Sequence, residues 1–310
     1  MKILVTPRSF GKTDPQAFKL LEDAGFEIVK NETGGILSEQ QLSELIQDCD
    51  GVILGVDPLT SKVLQNAPKL KAIAKYGVGV DNIDLQACEA RNIPVSRTVG
   101  ANSEAVADYA FALMLAVARK VIPIDAACRK SDWGKTTTID VFGKTLGLIG
   151  LGAIAKGVAA RAKGFNMKVL AYDVFWDNDY AKNASIQKAE LNQIYKEADF
   201  ISLHVPLTDE TRLLIGETQL KLMKPTAIII NTARGGIIDE NALLKALQNN
   251  TIYGAGIDAF EQEPPTNKAW FELENIVIGS HCAASTFGAT EQMGRMAVQN
   301  IIDDLKGRQL

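Results

Sequence analysis

Residues 146–157 read LGLIGLGAIAKG. The apolar run from Thr145 to Ile149 suits a buried parallel strand, and Ala153 to Lys163 suits a helix, so Gly150 and Gly152 fall at a strand-to-helix turn. In such a turn the first glycine permits the tight bend. The second, lacking a Cβ, lets a pyrophosphate approach the backbone at the helix N-terminus, where unpaired N–H groups and the dipole favour anions. Ala155 stands where a third glycine is usual; that position serves helix–strand packing, and alanine is an accepted variant there. The following strand, KVLAYD, ends in Asp173, with seventeen residues between it and Ala155. An acid about 20 residues on is placed to accept hydrogen bonds from an adenosine ribose, and its charge repels a 2′-phosphate. Val174, Phe175 and Trp176 bring no cation to offset that repulsion, so the fingerprint predicts NAD rather than NADP.

The fingerprint lies near mid-chain, so a substantial structure must precede it. Strand-like runs alternate with helical patterns throughout, which predicts parallel sheets covered by helices on both faces. The first hundred residues carry KILVTP, EIVKN, GVILG, KAIAKYG and IPVSR, a five-stranded flavodoxin-like series. From Lys144 a second series runs KTLGLI, KVLAYD, FISLHV, AIIINT, GAGIDA and NIVIG, which fits a Rossmann domain. The expected fold class is therefore α/β, with two doubly wound parallel-sheet domains. A closing helix over 287–306 places Met293, Met296, Ala297, Ile301 and Leu305 at helical spacing.

A length of 310 residues accommodates about two domains of the usual size, and 46% hydrophobic content is that of a globular chain. The net charge of −4, without a basic block, argues against nucleic acid or an anionic membrane surface as partner. Cys49, Cys88, Cys128 and Cys282 lack CxxC spacing and read as reduced intracellular thiols; two histidines in all exclude a His-rich metal site. MKILVTPRSF is too short for a signal peptide, and the apolar segment 109–118 is half the length of about 20 residues that a bilayer requires. A soluble, cytoplasmic protein is expected. A helix over 103–119, apolar on nearly every side, needs more cover than one domain face offers, which predicts a homodimer.

Ligands of open parallel sheets bind beyond the carboxyl ends of the strands. There the strand AIIIN runs into TARGG, and Arg234 can grip a carboxylate with two parallel hydrogen bonds while polarising an adjacent carbonyl. GIDAFEQEPP and GSHCAAST bring Glu263 and His281 to the same edge. A carboxylate beside an imidazole stabilises the imidazolium, which keeps a proton available for transfer. His204, in SLHVPL, is the rival; no acid adjoins it before Asp209, and Val205-Pro206 reads as an apolar wall for the adenosine half of a dinucleotide. It is expected to be structural.

Together GLGAIA…YD, LHVPLTDETRLLIG, NTARGGIIDENAL, GIDAFEQEP and SHCAAST, with KYGVGVDNIDLQAC and ANSEAVADYA upstream, resemble the D-isomer-specific 2-hydroxyacid dehydrogenases, most of all their phosphoglycerate dehydrogenase-like branch. The resemblance implies a substrate domain from residues 1–98 and 284–310, with an NAD-binding Rossmann domain, 99–283, inserted between. It implies catalytic roles for Arg234, Glu263 and His281. Cofactor contacts follow at Gly150, Gly152, Ala153, Ile154, Asp173, Val205, Pro206, Thr232, Ala233, Asp258, His281 and Ala283. Substrate contacts follow at Lys75, Val78, Gly79, Asn102 and Arg234. It also implies dimerisation around the 103–119 helix. Members acting on phosphoglycerate carry arginines for the phosphate; here Lys75 occupies one such place and Gly55 another, with Arg8 and Lys12 as candidate substitutes. With the chain stopping at Leu310, the regulatory domain of longer members, and serine feedback with it, is not expected.

The expected reaction is reversible hydride transfer between nicotinamide C4 and C2 of a small 2-hydroxy or 2-keto acid, with 3-phosphoglycerate among the candidate substrates. Two other readings share the fold: an NAD-responsive binding or corepressor-type protein, and a relative acting on formate or phosphite.

Overall fold

Along Lys2–Val5 (β1) the side chains alternate between two hydrophobic cores, Ile3 and Val5 entering one and Leu4 the other. A strand buried on both faces has to be apolar throughout, which is why its sequence shows no polar alternation. The same holds for Gly51–Leu54 (β3) and, up to its terminal lysine, for Ala72–Lys75 (β4), while Glu27–Lys30 (β2) and Val95–Arg97 (β5) form the edges. All pairs are parallel, in the order β2-β1-β3-β4-β5, the flavodoxin-like arrangement. Leu4, Val52, Leu54 and Ile73 pack on one face against Glu39–Ile46 (α2) and Ser61–Gln65 (α3), whose Leu42, Ile46, Val63 and Leu64 complete that core. Helix α2 starts in a capping box, Ser38 Oγ accepting the Gln41 amide and Gln41 Oε1 accepting the Ser38 amide at 2.9 Å. On the other face Ala17 and Leu21 of Gln16–Asp23 (α1) meet Ala297, Val298 and Ile301 of the C-terminal helix, Phe287–Lys306. Leu85–Ala90 (α4) completes this unit.

The computed structural model describes residues 1–12 and 14–307. They form two compact units, Met1–Asn102 together with the stretch from Ala284 onward, and Ser103–Ala283.

The second unit holds seven parallel strands: Thr145–Ile149 (β6), Lys168–Tyr172 (β7), Gln187–Lys188 (β8), Phe200–Leu203 (β9), Ile228–Asn231 (β10), Gly254–Ile257 (β11) and Ile276–Ile278 (β12). Their order, β12-β11-β10-β9-β6-β7-β8, is the Rossmann order with one strand added, and it reverses between β6 and β9. The sequence led us to expect six strands; β8 is a two-residue edge, too short to carry a periodic signal. Ser103–Ala118 (α5) and Ala153–Gly164 (α7) cover one face; Leu191–Glu197 (α9), Glu217–Leu222 (α10) and Glu240–Gln248 (α11) cover the other. Val121–Cys128 (α6) and Asn178–Asn183 (α8) lie in the connections.

Helix α5 lies on α7, β10, β11 and β12 of its own unit, leaving exposed only a stripe of Glu104, Asp108 and Ala112 within it. The two acids of the stripe grip Arg161 of α7. The apolarity of α5 is thus accounted for within its own unit, so it no longer calls for a second subunit. Among the described residues no helix is long and apolar enough to cross a membrane.

Candidate active site

The fingerprint turn is built as its residues require. Gly150 sits at φ +93°, and a Cβ there would lie 2.6 Å from the His204 carbonyl oxygen, so both conformation and space demand glycine. Its amide donates to the Tyr172 carbonyl at 2.8 Å, tying the β6 exit to the β7 exit. Gly152 is the N-cap of α7 and has no side-chain cap; no atom lies within 4 Å of the place its Cβ would take. The first turn of α7, with Ala153 exposed and Ile154 half-buried, therefore opens onto a cradle suited to an anion. Ala155 is fully buried, consistent with a packing role. Asp173 bridges the turn: Oδ2 accepts the Leu151 amide at 2.5 Å and Oδ1 the Phe175 amide at 2.7 Å. A carboxylate has about four lone-pair sites, so two remain for ribose hydroxyls.

At the end of β10, Asn231 is 2% exposed and folds the exit loop around itself, donating to the Arg234 carbonyl at 2.8 Å and accepting the Ala233 amide at 3.0 Å. The neighbouring Thr232 hydroxyl is buried and finds no hydrogen-bond partner among the described residues. Such an orphan costs about 1–3 kcal/mol unless a ligand satisfies it, and an amide of the kind nicotinamide carries would do so. Together with the open cradle at Gly152, this fits a dinucleotide along the edge. Val205, half-buried, and Pro206, exposed, follow β9 on that edge.

Arg234 is half-buried, with Nη1 donating to the Ala233 carbonyl at 2.7 Å. Glu263 and His281 meet: His281 Nδ1 lies 2.9 Å from Glu263 Oε1 and 3.0 Å from Oε2. An ionised carboxylate only accepts, which assigns the proton to Nδ1 and turns Nε2 outward. Burial pushes the Glu263 carboxyl up, but the His281 hydrogen bond and charge, the Phe260 amide and the Arg234 charge together hold it below its ordinary range. Glu263 therefore stays ionised at neutral pH. Both side chains are 39% exposed, so the pair is accessible.

Asp258, 1% exposed, holds the His281 loop from beneath. Its carbonyl accepts the His281 amide at 2.9 Å, Oδ1 the Cys282 amide at 3.1 Å and Oδ2 the Ala283 amide at 2.9 Å. These bonds fix His281 at φ +56°, a conformation uncommon for any residue but glycine. Sequence reasoning gave Asp258 and Ala283 to the cofactor and missed this anchoring, along with the role of Asn231. A buried acid after a strand was the available signal for the first, and an asparagine ending an apolar strand for the second.

The rival His204 differs in each respect. Its Nε2 pairs with the buried Ser202 hydroxyl at 2.8 Å, and burial pushes its pKa down to about 3, so it is neutral. In the first unit, Lys75 ends β4, buried, its ammonium donating to the Gly55 carbonyl and to Asn82 Oδ1. Val78 and Gly79 follow half-buried, and Asn102 Oδ1 is buried without a partner among the described residues.

The model of the D-isomer specific 2-hydroxyacid dehydrogenase NAD binding domain matches residues 111–283. A glyoxylate reductase of Korarchaeum cryptofilum is 42% identical, over 87% of this chain and 84% of its own. A D-3-phosphoglycerate dehydrogenase of Methanocaldococcus jannaschii is 40% identical, over 99% of this chain and 58% of its own. The structure of D-lactate dehydrogenase from Aquifex aeolicus, complexed with NAD and lactic acid, superposes with a TM-score of 0.86 at 31% identity, over 98% of this chain and 96% of that one. By the family match and by these relatives, the chain belongs to the D-isomer-specific 2-hydroxyacid dehydrogenases, with an NAD-binding domain in its second unit.

Proposed function

We propose that the protein interconverts a small, unphosphorylated 2-keto acid and its D-2-hydroxy acid with NAD(H), glyoxylate being the reference substrate. The observation that carries this reading is the Glu263–His281 pair, bonded at 2.9 and 3.0 Å on the sheet edge where Arg234 also emerges. Bound NAD(H) supplies or accepts the hydride. Arg234 grips the substrate carboxylate and polarises the neighbouring carbonyl. His281, oriented by Glu263, gives a proton to the carbonyl oxygen during reduction and takes it back during oxidation. Gly150, Gly152, Ala153, Ile154, Asp173, Val205, Pro206, Thr232, Ala233 and Ala283 are the residues we assign to the cofactor, and Asp258 holds the His281 loop.

Two features favour an unphosphorylated substrate. Gly55 brings no cation where a phosphate-binding arginine would stand, and a Cβ there would be tight, 3.2 Å from Asp57 Oδ2 and 3.3 Å from Pro7 Cα. Lys75 is committed to the Gly55 carbonyl and Asn82. The names of the glyoxylate reductase relatives agree with this choice. Preference for NAD over NADP rests on Asp173, held at the β7 exit by two amides.

The test is NADH oxidation with glyoxylate, hydroxypyruvate, pyruvate and phosphohydroxypyruvate. We expect kcat/KM for glyoxylate or hydroxypyruvate to exceed that for the phosphorylated acid by about tenfold or more, since one lost charge-assisted contact is worth about 1.5–3 kcal/mol. Saturable NADH binding without turnover on any of them would support the ligand-responsive binding protein instead. A homodimer is the assembly we expect, on the exposed apolar residues Val121, Ile122 and Trp133; sedimentation as a monomer at micromolar concentration would overturn it.

A further inference from the structure

We infer that Glu240, outside the Arg234, Glu263 and His281 set, is a positioning residue that fixes the loop carrying Glu263 and thereby sets how Glu263 meets His281. The inference rests on the reading above that this pair transfers the proton.

Glu240 is the first residue of α11, whose N-cap Asp239 accepts the Asn241 and Ala242 amides at 3.0 Å each, so its backbone is held by a regular helix start. From there Glu240 Oε1 accepts the Glu261 amide at 2.6 Å. One residue earlier in the same loop, the Phe260 amide donates to Glu263 Oε1 at 3.1 Å. Two consecutive amides of the β11 exit loop are thus given to two carboxylates, one on the scaffold and one that faces the imidazole. The loop has no slack on its inner side. A Cβ on Gly235 would lie 2.1 Å from the Glu261 nitrogen and 2.1 Å from the Phe260 carbonyl carbon, so the loop backbone rests directly on the residue after Arg234. Glu240 therefore pins the Glu263 loop against the turn that presents Arg234.

The charges around it show that the contact is held against opposition. Burial pushes the Glu240 carboxyl up, and the charges of Glu261 and Glu263 push the same way, against the Glu261 amide. Arg212 Nη1 lies 3.8 Å from Glu261 Oε1, and the Arg234 charge acts on Glu263. An acid that served only the dipole of α11 would gain a similar small amount from any orientation in the first turn and would be free to face water. Glu240 instead stays half-buried among like charges, on one amide.

The experiment compares the wild type with Glu240→Ala, Glu240→Gln and Glu263→Gln, and with Glu240→Ala in the Glu263→Gln background, using NADH and the best keto acid of the panel. Glu240→Ala should lower kcat about tenfold with a much smaller change in KM, because a loop misplaced by a fraction of an ångström costs alignment rather than affinity. Its pH–rate midpoint for reduction should move in the same direction as that of Glu263→Gln. Glu240→Gln keeps an oxygen acceptor for the Glu261 amide and should stay within about threefold of wild type. In the Glu263→Gln background the alanine should add less than about twofold, since a residue acting through Glu263 has nothing left to position. A lowered melting temperature with an unmoved pH midpoint, or a full additive loss in the double variant, overturns the inference. If Glu240→Ala does not fold, Glu240→Asp keeps the helix charge but falls short of the Glu261 amide, and the same outcomes apply. A wild type that turns over no keto acid sinks the proposed function; an active wild type matched by Glu240→Ala sinks this inference alone.

Discussion

The two histidines of the chain leave the same sheet edge, after β9 and before the last stretch of the second unit, yet their surroundings make them opposites. His204 meets a hydroxyl, Ser202 Oγ, and burial keeps it neutral. His281 meets a carboxylate, stands 39% exposed, and is held at φ +56° by three bonds to Asp258. A neutral imidazole bonded to serine closes off the strand end beside the fingerprint turn. An imidazole backed by an ionised acid can hold and pass a proton. Residue type and position on the fold are shared; the partner on the inner ring nitrogen and the access of the outer one divide structure from chemistry.

The sharpest way to break this contrast is to substitute each histidine in turn. His281→Asn should lower the rate of keto-acid reduction by about 10²–10⁴, the range general acid–base catalysis supplies, while His204→Asn should stay within a few-fold of wild type. Steady-state NADH kinetics on the two variants checks this, and a large loss in His204→Asn with little in His281→Asn would reverse the roles. Next in size, Arg234→Gln should cost about 10² in kcat/KM by replacing a bidentate, charged grip with a neutral one; a loss within twofold would remove Arg234 from the substrate carboxylate.

A smaller effect separates the histidines in stability. The folded pKa of His204 is depressed from 6.5 to about 3, so the unfolded chain takes up a proton that the folded chain refuses between those values. Its contribution is complete above pH 6.5 and is lost progressively as pH falls toward 3. Thermal melts across that window should show wild type losing stability more steeply than His204→Asn; parallel curves would mean that His204 is not held neutral by burial.

Much of this was legible beforehand because it is written in local patterns. Continuous apolar runs such as IIIN and GVIL marked doubly covered strands, and the glycine spacing at Gly150 and Gly152 marked the turn. Arg234, Glu263 and His281 were readable because each lies in the loop that leaves a strand, and strand ends of a parallel sheet share an edge. What stayed hidden depends on contacts between distant segments. Nothing local says that Asp258 reaches the amides of Cys282 and Ala283, that Glu240 reaches across to Glu261, or that Asp173 is held by Leu151 and Phe175. The two-residue β8 and five-residue α3 are shorter than a period can register. The apolarity of α5 was readable, but what covers it was not: α7 and the sheet do so, and the sequence pattern of a helix packed inside a unit is the same as that of one packed between subunits.

The most direct test of the account is the pH dependence of kcat/KM for keto-acid reduction, measured side by side in the wild type and in Glu263→Gln. Because reduction draws a proton from the His281–Glu263 pair, the wild-type rate should fall as pH rises, and the profile should move to lower pH once the carboxylate 2.9 Å from His281 Nδ1 is neutralised. A wild-type rate that does not fall with pH, or a midpoint that stays in place in Glu263→Gln, would contradict proton transfer by the His281–Glu263 pair.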